Sequence, residues 1–214
     1  MAVEQEFRFA LSEEEAALLL DTLGAPQRTI HQESHYFDTR DGCLRAHLYG
    51  LRLRIEDRAR RVLTLKGPPL AGPFGRPGVD RREETEIEVA FAVAARLLRG
   101  ESRLDDLGLA LPAELAREAG REPLVPLGAV ITLRRRFRMS AGPAHEMELD
   151  EALFPDGSRF HDLEVEWQGA EGSKMESDLH SFLRRLGIEP RPQPLTKLAR
   201  LMEHRARPGN GRTA

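Results

Sequence analysis

Glu4, Glu6 and Arg8 stand at alternate positions of the segment Val3-Glu4-Gln5-Glu6-Phe7-Arg8-Phe9. Successive side chains of a β-strand point to opposite faces, so these three charges share one face and Val3, Phe7 and Phe9 share the other. Carboxylates are the oxygen ligands that hard divalent cations take, and arginine presents a planar fork that matches phosphate oxygens. The pattern returns along the chain. Arg52 and Arg54 alternate with leucines, and Lys66 ends the next alternating run. Arg82, Glu84, Glu86 and Glu88 share a face, as do Arg134, Arg136 and Arg138. Glu146, Glu148 and Asp150 form another such row, followed by Glu164 and Glu166. Acids and bases in such numbers suit a ligand that carries both signs. A polyphosphate with bound divalent metal is one.

The elements that must carry these residues are legible in order. Ser12-Glu13-Glu14-Glu15 has the form of a capping box, and the apolar run after it propagates a helix to Gly24. Gln27 to Phe37 reads as a strand ending at the turn 38–42, while Arg45 to Tyr49 is ambiguous. Leu51 to Glu56 and Arg60 to Lys66 form a hairpin. Gly67 to Gly78, rich in proline and glycine, reads as a loop without regular structure, a mobile flap near one mouth of the site. Arg82 to Val89 is a strand. Within 91–121, Ala92 to Arg99 and Pro112 to Ala119 are helical. Ala129 to Met139, His145 to Phe154 and Arg159 to Trp167 are strands, the first two joined by a Gly142-Pro143 turn. Helices over about 173–186 and 195–205 follow, with one domain expected over 1–206 and a disordered tail over 207–214.

A sheet with one wet face would also place charges on alternate positions. Two features favour closure instead. The polar face consists almost wholly of Arg, Lys, Glu and Asp, and the amphipathic helices need an apolar sheet face to cover. The expected fold is therefore α+β: a closed antiparallel β-barrel of about eight strands, a tunnel with a charged interior and helices packed outside. Composition narrows the function. Of 214 residues, 40% are hydrophobic and 31% charged, but 32 basic and 35 acidic residues leave a net charge of only -3. That balance excludes a general nucleic-acid surface. There is one cysteine, so no internal disulfide is possible, and no apolar run is long enough to span a membrane. A cytoplasmic protein, monomer or homodimer, without a nucleic-acid or membrane partner is expected.

The motifs resemble those of the CYTH superfamily, the triphosphate tunnel metalloenzymes. Glu4-x-Glu6-x-Arg8 is similar to that family's Glu-x-Glu-x-Lys, with arginine in place of lysine. Tyr36-Phe37-Asp38-Thr39, Leu51-Arg52-Leu53-Arg54, Leu63-Thr64-Leu65-Lys66-Gly67, Arg82-Glu83-Glu84-Thr85-Glu86, Arg134-Arg135-Arg136, Glu148-Leu149-Asp150, Leu163-Glu164-Val165-Glu166 and Thr196-Lys197 follow in the family's order. The resemblance implies a metal-dependent hydrolase of inorganic triphosphate or a small organic triphosphate, using Mg²⁺ or Mn²⁺. By the same resemblance Glu4, Glu6, Glu148, Asp150, Glu164 and Glu166 are metal ligands. Arg8, Arg52, Arg54, Lys66, Arg134, Arg136 and Lys197 are triphosphate ligands, with Glu6 and Lys66 catalytic. The roles of Glu84 and Glu86 stay open. Alternatives are an adenylyl cyclase of the same superfamily and a non-catalytic polyphosphate-binding module.

Other signals carry less. His31 and His35 share a strand face but lie roughly 13 Å apart, and Cys43 reads as structural. Alternation sends Arg135 away from Arg134 and Arg136, against a contiguous nucleic-acid patch.

Overall fold

The computed structural model describes residues 2–70, 78–138, 146–167 and 172–206. The chain order is β1 (Ala2–Leu11), α1 (Glu13–Leu23), β2 (Arg28–Thr39), α2 (Cys43–Ala46), β3 (Gly50–Glu56), β4 (Arg60–Pro69), β5 (Val79–Glu88) and α3 (Phe91–Leu98). A 3₁₀ turn at Leu104–Leu107 leads to α4 (Ala113–Ala119), β6 (Leu124–Arg138), β7 (Glu146–Leu153), β8 (Arg159–Glu166), α5 (Gly172–Arg185), β9 (Arg191–Pro192) and α6 (Lys197–Ala206). Round the barrel the order is β5-β4-β3-β2-β6-β7-β8-β1, all antiparallel, and β1 also pairs with β5 to close the ring. Thus β1 is the closing stave. Its first half, Ala2 to Phe7, pairs with β5, and its second half, Glu6 to Leu11, pairs with β8. Past the end of β5, the short β9 takes over that edge at Phe9 and Ala10.

Local chemistry sets these elements as expected. Ser12 caps α1 by accepting from the Glu15 N–H, and Glu15 returns the bond to the Ser12 N–H at 2.7 Å. The β3–β4 hairpin turns through Asp57 and Arg58, both at positive φ, the twist a tight hairpin requires.

Apolar side chains lie outside the barrel, under helices. Phe7, Phe9, Leu149, Leu163 and Val165 pack beneath α1 and α5, with Phe7 stacked on Trp167 at 4.1 Å. Leu51, Leu53, Leu63 and Leu65 pack beneath α2, α3 and α4. Each fully buried side chain of this size contributes roughly 1.5–3 kcal/mol. A third cluster differs. Tyr36, Val130 and Ala152 belong to the inward-facing rows of β2, β6 and β7, and Leu201 of α6 packs on them with Phe154. An apolar layer thus lies beneath α6 on the inner side of these strands.

Several boundaries depart from the sequence reading. The loop expected from Gly67 begins as strand: β4 runs to Pro69, pairs with Arg82 across a register shift, and the Leu70 N–H still bonds to Arg81. The irregular pairing lets prolines, which lack N–H donors, continue the strand. The flap expected over 67–78 otherwise falls at 71–77, outside the described residues, as do the Gly142-Pro143 turn and the tail 207–214. Gly78, by contrast, is fixed. Its φ is +81°, its carbonyl accepts from Arg8 N–H at 2.7 Å, and a Cβ there would lie 2.7 Å from Pro192. β6 starts at Leu124, not Ala129, passing through Pro126 and Gly128 by a bulge against Tyr36 and Phe37. Gly128, at φ +137°, leaves room for Leu201. The ambiguous stretch before β3 begins as the short helix α2. Among the described residues no helix is long and apolar enough to cross a membrane.

Candidate active site

Register brings the charged rows into one space. A cavity of about 990 Å³ inside the barrel is lined by Glu4, Glu6, Glu164 and Glu166 among the expected acids. All the expected cations line it too: Arg8, Arg52, Arg54, Lys66, Arg134, Arg136 and Lys197. Glu84 and Glu86, whose roles were open, are also in its wall.

The acids divide by what touches them. Glu4, Glu6 and Glu166 each aim a carboxylate oxygen at a common point, and the three oxygens lie within 4.8 Å of one another. Glu4 and Glu6 come from one face of β1, and Glu166 is the ladder partner of Glu6 on β8. Glu4 and Glu6 also meet cations, Lys66 and Arg8, while the other three expected acids are held by Arg134, Arg136 and Lys197. Arg134 grips Asp150 with both arms of its fork, at 2.8 and 2.7 Å, and reaches Glu164 at 2.5 Å. It also pairs with Glu148, which Arg136 meets at 2.9 Å. Lys197 Nζ lies 2.9 Å from Asp150 and 2.7 Å from Glu164. Asp150 has no exposed surface, and neither it nor Glu148 lines the cavity.

Lys66 bridges the two sides of β1 and β5, 2.5 Å from Glu4 and 3.3 Å from Glu84. Arg52 lies 3.7 Å from Glu86, and Arg54 lies 2.9 Å from Glu56 and 3.3 Å from Glu86. Glu84 and Glu86 are thus each in contact with cations of the wall. Arg8 sits between Glu6 at 3.5 Å and Asp80 at 3.7 Å, and donates to the Leu195 carbonyl at 3.3 Å.

These contacts set the charges. Burial pushes Glu6 up to about 8, with Glu164 and Glu4 adding repulsion and Lys66 opposing it. Burial also raises Glu84 to about 8, reinforced by its hydrogen bond to Glu4, so Glu84 is the protonated member of that pair. Burial opposes the charge on Glu4 as well, yet Lys66 and the Glu84 bond bring it down to about 2. Glu148 is raised to about 7, mainly by burial. Burial likewise works against Glu164, but Lys197 and Arg134 hold it well below the ordinary range.

A divalent cation fits at Glu4, Glu6 and Glu166: an all-oxygen set suits Mg²⁺ or Mn²⁺. Two acids in the charged interior were not foreseen. Asp80 pairs with Arg82 at 2.7 Å, and buried Asp162 accepts from Gln193 at 2.9 Å. Their signal was present, since each lies two residues before a charge on the same face.

A closed antiparallel barrel, ionised inside and covered by helices outside, defines a charged-tunnel protein. The chain belongs to the CYTH family: the CYTH domain profile matches residues 2–196. Among solved structures it is similar to HpAC1 from Hippeastrum, described as an adenylyl cyclase candidate that reveals a dominant triphosphatase activity. The two share 26% identity over 96% of this chain and 98% of that one, with a TM-score of 0.81. An adenylate cyclase candidate from Bacillus halodurans is 21% identical over 94% and 98% of the two chains, TM-score 0.73. A Pyrococcus horikoshii protein is 21% identical over 94% and 99%, TM-score 0.63. The last two likenesses show the fold alone. No curated protein matches the chain significantly.

Proposed function

We propose that this chain is a metal-dependent triphosphatase, hydrolysing inorganic triphosphate or a small organic triphosphate within the barrel. One observation carries the reading: the Glu4, Glu6 and Glu166 oxygens converge in a cavity whose walls also hold Arg8, Arg52, Arg54, Lys66, Arg134, Arg136 and Lys197. An anion-binding module would not need a convergent carboxylate trio. The triphosphatase activity described for HpAC1 supports the same reading.

A divalent cation held by the trio would supply Lewis-acid neutralisation of phosphate oxygens. The chain's own residues do the rest. Arginine forks and the Lys66 and Lys197 ammonium groups bind the non-bridging oxygens and stabilise charge on the leaving diphosphate. Lys66, between Glu4 and Glu84, is positioned to follow that charge as it develops. Glu6, once ionised, orients a water toward the terminal phosphorus and accepts its proton. The phosphorus–oxygen bond to the diphosphate breaks as the new one forms. Glu148 and Asp150, expected as metal ligands, are proposed here to position Arg134, Arg136 and Lys197. Glu164 faces the cavity while paired to the same cations, so it serves this positioning and stays within reach of a second cation.

A second reading has one observation in its favour. Tyr36, Leu48, Tyr49, Leu198 and Met202 line the same cavity, an apolar wall on which an organic headgroup such as adenine would rest. The deciding experiment is a panel of inorganic triphosphate, thiamine triphosphate and ATP with Mg²⁺ or Mn²⁺. Phosphate release is measured apart from cyclic AMP. Phosphate as the main product supports the triphosphatase; cyclic AMP as the main product supports the cyclase. Tight triphosphate binding with no turnover on any substrate leaves only the binding module.

A further inference from the structure

A second cluster of ligating side chains lies outside the barrel, among residues that do not line the cavity. Cys43 and His47 are one helical turn apart, at the start and just past the end of α2, and Glu118 comes from α4. The thiol sulfur, a ring nitrogen and a carboxylate oxygen lie within 4.8 Å of one another. His47 is already oriented. Its Nδ1 lies 3.0 Å from the Cys43 carbonyl, which accepts its proton, and 3.7 Å from the Cys43 sulfur, so Nε2 is the nitrogen left to ligate. Nε2 points to Glu118 Oε2 at 3.3 Å, while the other oxygen of Glu118 accepts from Arg117 at 3.3 Å. A backbone acceptor on the far nitrogen is the usual partner of a metal-ligating imidazole. Cys43 is fixed in turn, its N–H donating to Thr39 Oγ1 at 2.8 Å.

We propose that Cys43, His47 and Glu118 bind a thiophilic divalent transition metal of the zinc type, at a site separate from the carboxylate trio inside the barrel. Sulfur, imidazole nitrogen and one carboxylate oxygen form a three-ligand set, with water completing a tetrahedron. Bonds of about 2.0–2.3 Å put tetrahedral ligand atoms roughly 3.5 Å apart. Nε2 and Glu118 Oε2 already stand 3.3 Å apart, and the half-exposed Glu118 side chain can adjust as the sulfur joins them. Mg²⁺ and Mn²⁺ prefer all-oxygen sets and would leave this one empty. On binding, the sulfur–hydrogen bond breaks, a sulfur–metal bond forms, and the proton leaves to water. The ion would join α4 to α2. That helix leads directly into Leu48 and Tyr49 on the cavity wall.

The test uses the full chain, reduced and stripped of metal, titrated with Co²⁺ as an optical probe and then with Zn²⁺. One equivalent of Co²⁺ should give a thiolate-to-cobalt charge-transfer band that Zn²⁺ abolishes. The band should persist in Glu6→Gln, vanish in Cys43→Ser, and need at least tenfold more Co²⁺ in His47→Gln and Glu118→Gln. Both of the latter side chains are a third or more exposed, so these variants report even where Cys43→Ser fails to fold. Absence of the band in the native chain overturns the proposal. So does a titration unmoved by both His47→Gln and Glu118→Gln, and so does loss of the band in Glu6→Gln.

Discussion

Lys197 Nζ lies 2.7 Å from Glu164 Oε1, linking the first residue of helix α6 to the acidic row of β8. Asp150 completes the contact at 2.9 Å, and Arg134 holds the same two carboxylates from the opposite side. Two cations and two acids thus fix one another in the barrel wall before any ligand arrives. Buried ion pairs seldom add much net stability, because desolvation consumes most of the attraction. In the reaction proposed above they would supply orientation: the ammonium and guanidinium groups face the cavity and would not have to reorganise as charge appears on a phosphate.

Lys197→Met should therefore fail in two ways. Catalytic efficiency on triphosphate should drop on the order of 100-fold as a charge-assisted contact is lost. Asp150, fully buried, keeps only Arg134, and loss of one partner from such a pair should cost about 3 kcal/mol. Urea denaturation reads the second effect and steady-state kinetics the first. Unaltered kcat/KM in a destabilised Lys197→Met would confine the residue to a structural role.

Glu6→Gln should separate chemistry from folding. Burial already favours the neutral form of this carboxyl, and glutamine copies its shape. Metal-dependent turnover should fall by on the order of 100-fold or more, while circular dichroism and the unfolding midpoint at pH 7 stay near the native values. Near-native activity with Mg²⁺ or Mn²⁺ would sink the role given to Glu6.

Much of this arrangement is legible in sequence because the barrel inverts the ordinary rule. Charge at every second residue of β1, β3, β6, β7 and β8 marks the inward face, and leucines mark the outward one under helices. Less legible is anything that depends on ladder register. Arg134 faces Asp150, and Arg136 faces Glu148, only once β6 and β7 are aligned. That alignment makes these acids partners of arginines, while Glu4, Glu6 and Glu166 converge. Local signals also misled. Pro126 and Gly128 resemble a loop but form a bulge within β6, and Gly67 to Pro69 resemble a loop but extend β4. The turn-apart spacing of Cys43 and His47 carries meaning only when that segment is known to be helical.

Arg134→Lys tests whether the fork itself matters. Lysine keeps the charge but cannot grip both Asp150 oxygens while reaching Glu148 and Glu164. Stability should fall by about 1–3 kcal/mol as charge-assisted hydrogen bonds go unmade. kcat/KM should fall at least tenfold. A variant matching the native chain in denaturant midpoint and kinetics would show that Arg134 acts as a point charge.

The raised carboxyls make stability fall as pH rises. Glu6 and Glu84 stand at about 8 and Glu148 at about 7, all above the ordinary value of 4.5, with burial the first cause of each. Between pH 4.5 and 8 the folded chain holds protons at these sites that the unfolded chain has released. Folding is then linked to proton uptake, and stability falls as pH rises through that window. Glu4 and Glu164 are shifted the other way, so their contribution is complete above the ordinary range and is lost only in more acid solution. The unfolding temperature of the metal-free protein should therefore decline from pH 5 to pH 8. Glu6→Gln, which carries no titrating proton at that site, should decline less steeply. Added Mg²⁺ should flatten the native curve, because a cation at Glu4, Glu6 and Glu166 replaces the proton that Glu6 otherwise retains. Scanning calorimetry of both chains, with and without Mg²⁺, measures all three slopes. A metal-free native midpoint that rises over this range would show that Glu6 is already ionised in the folded barrel.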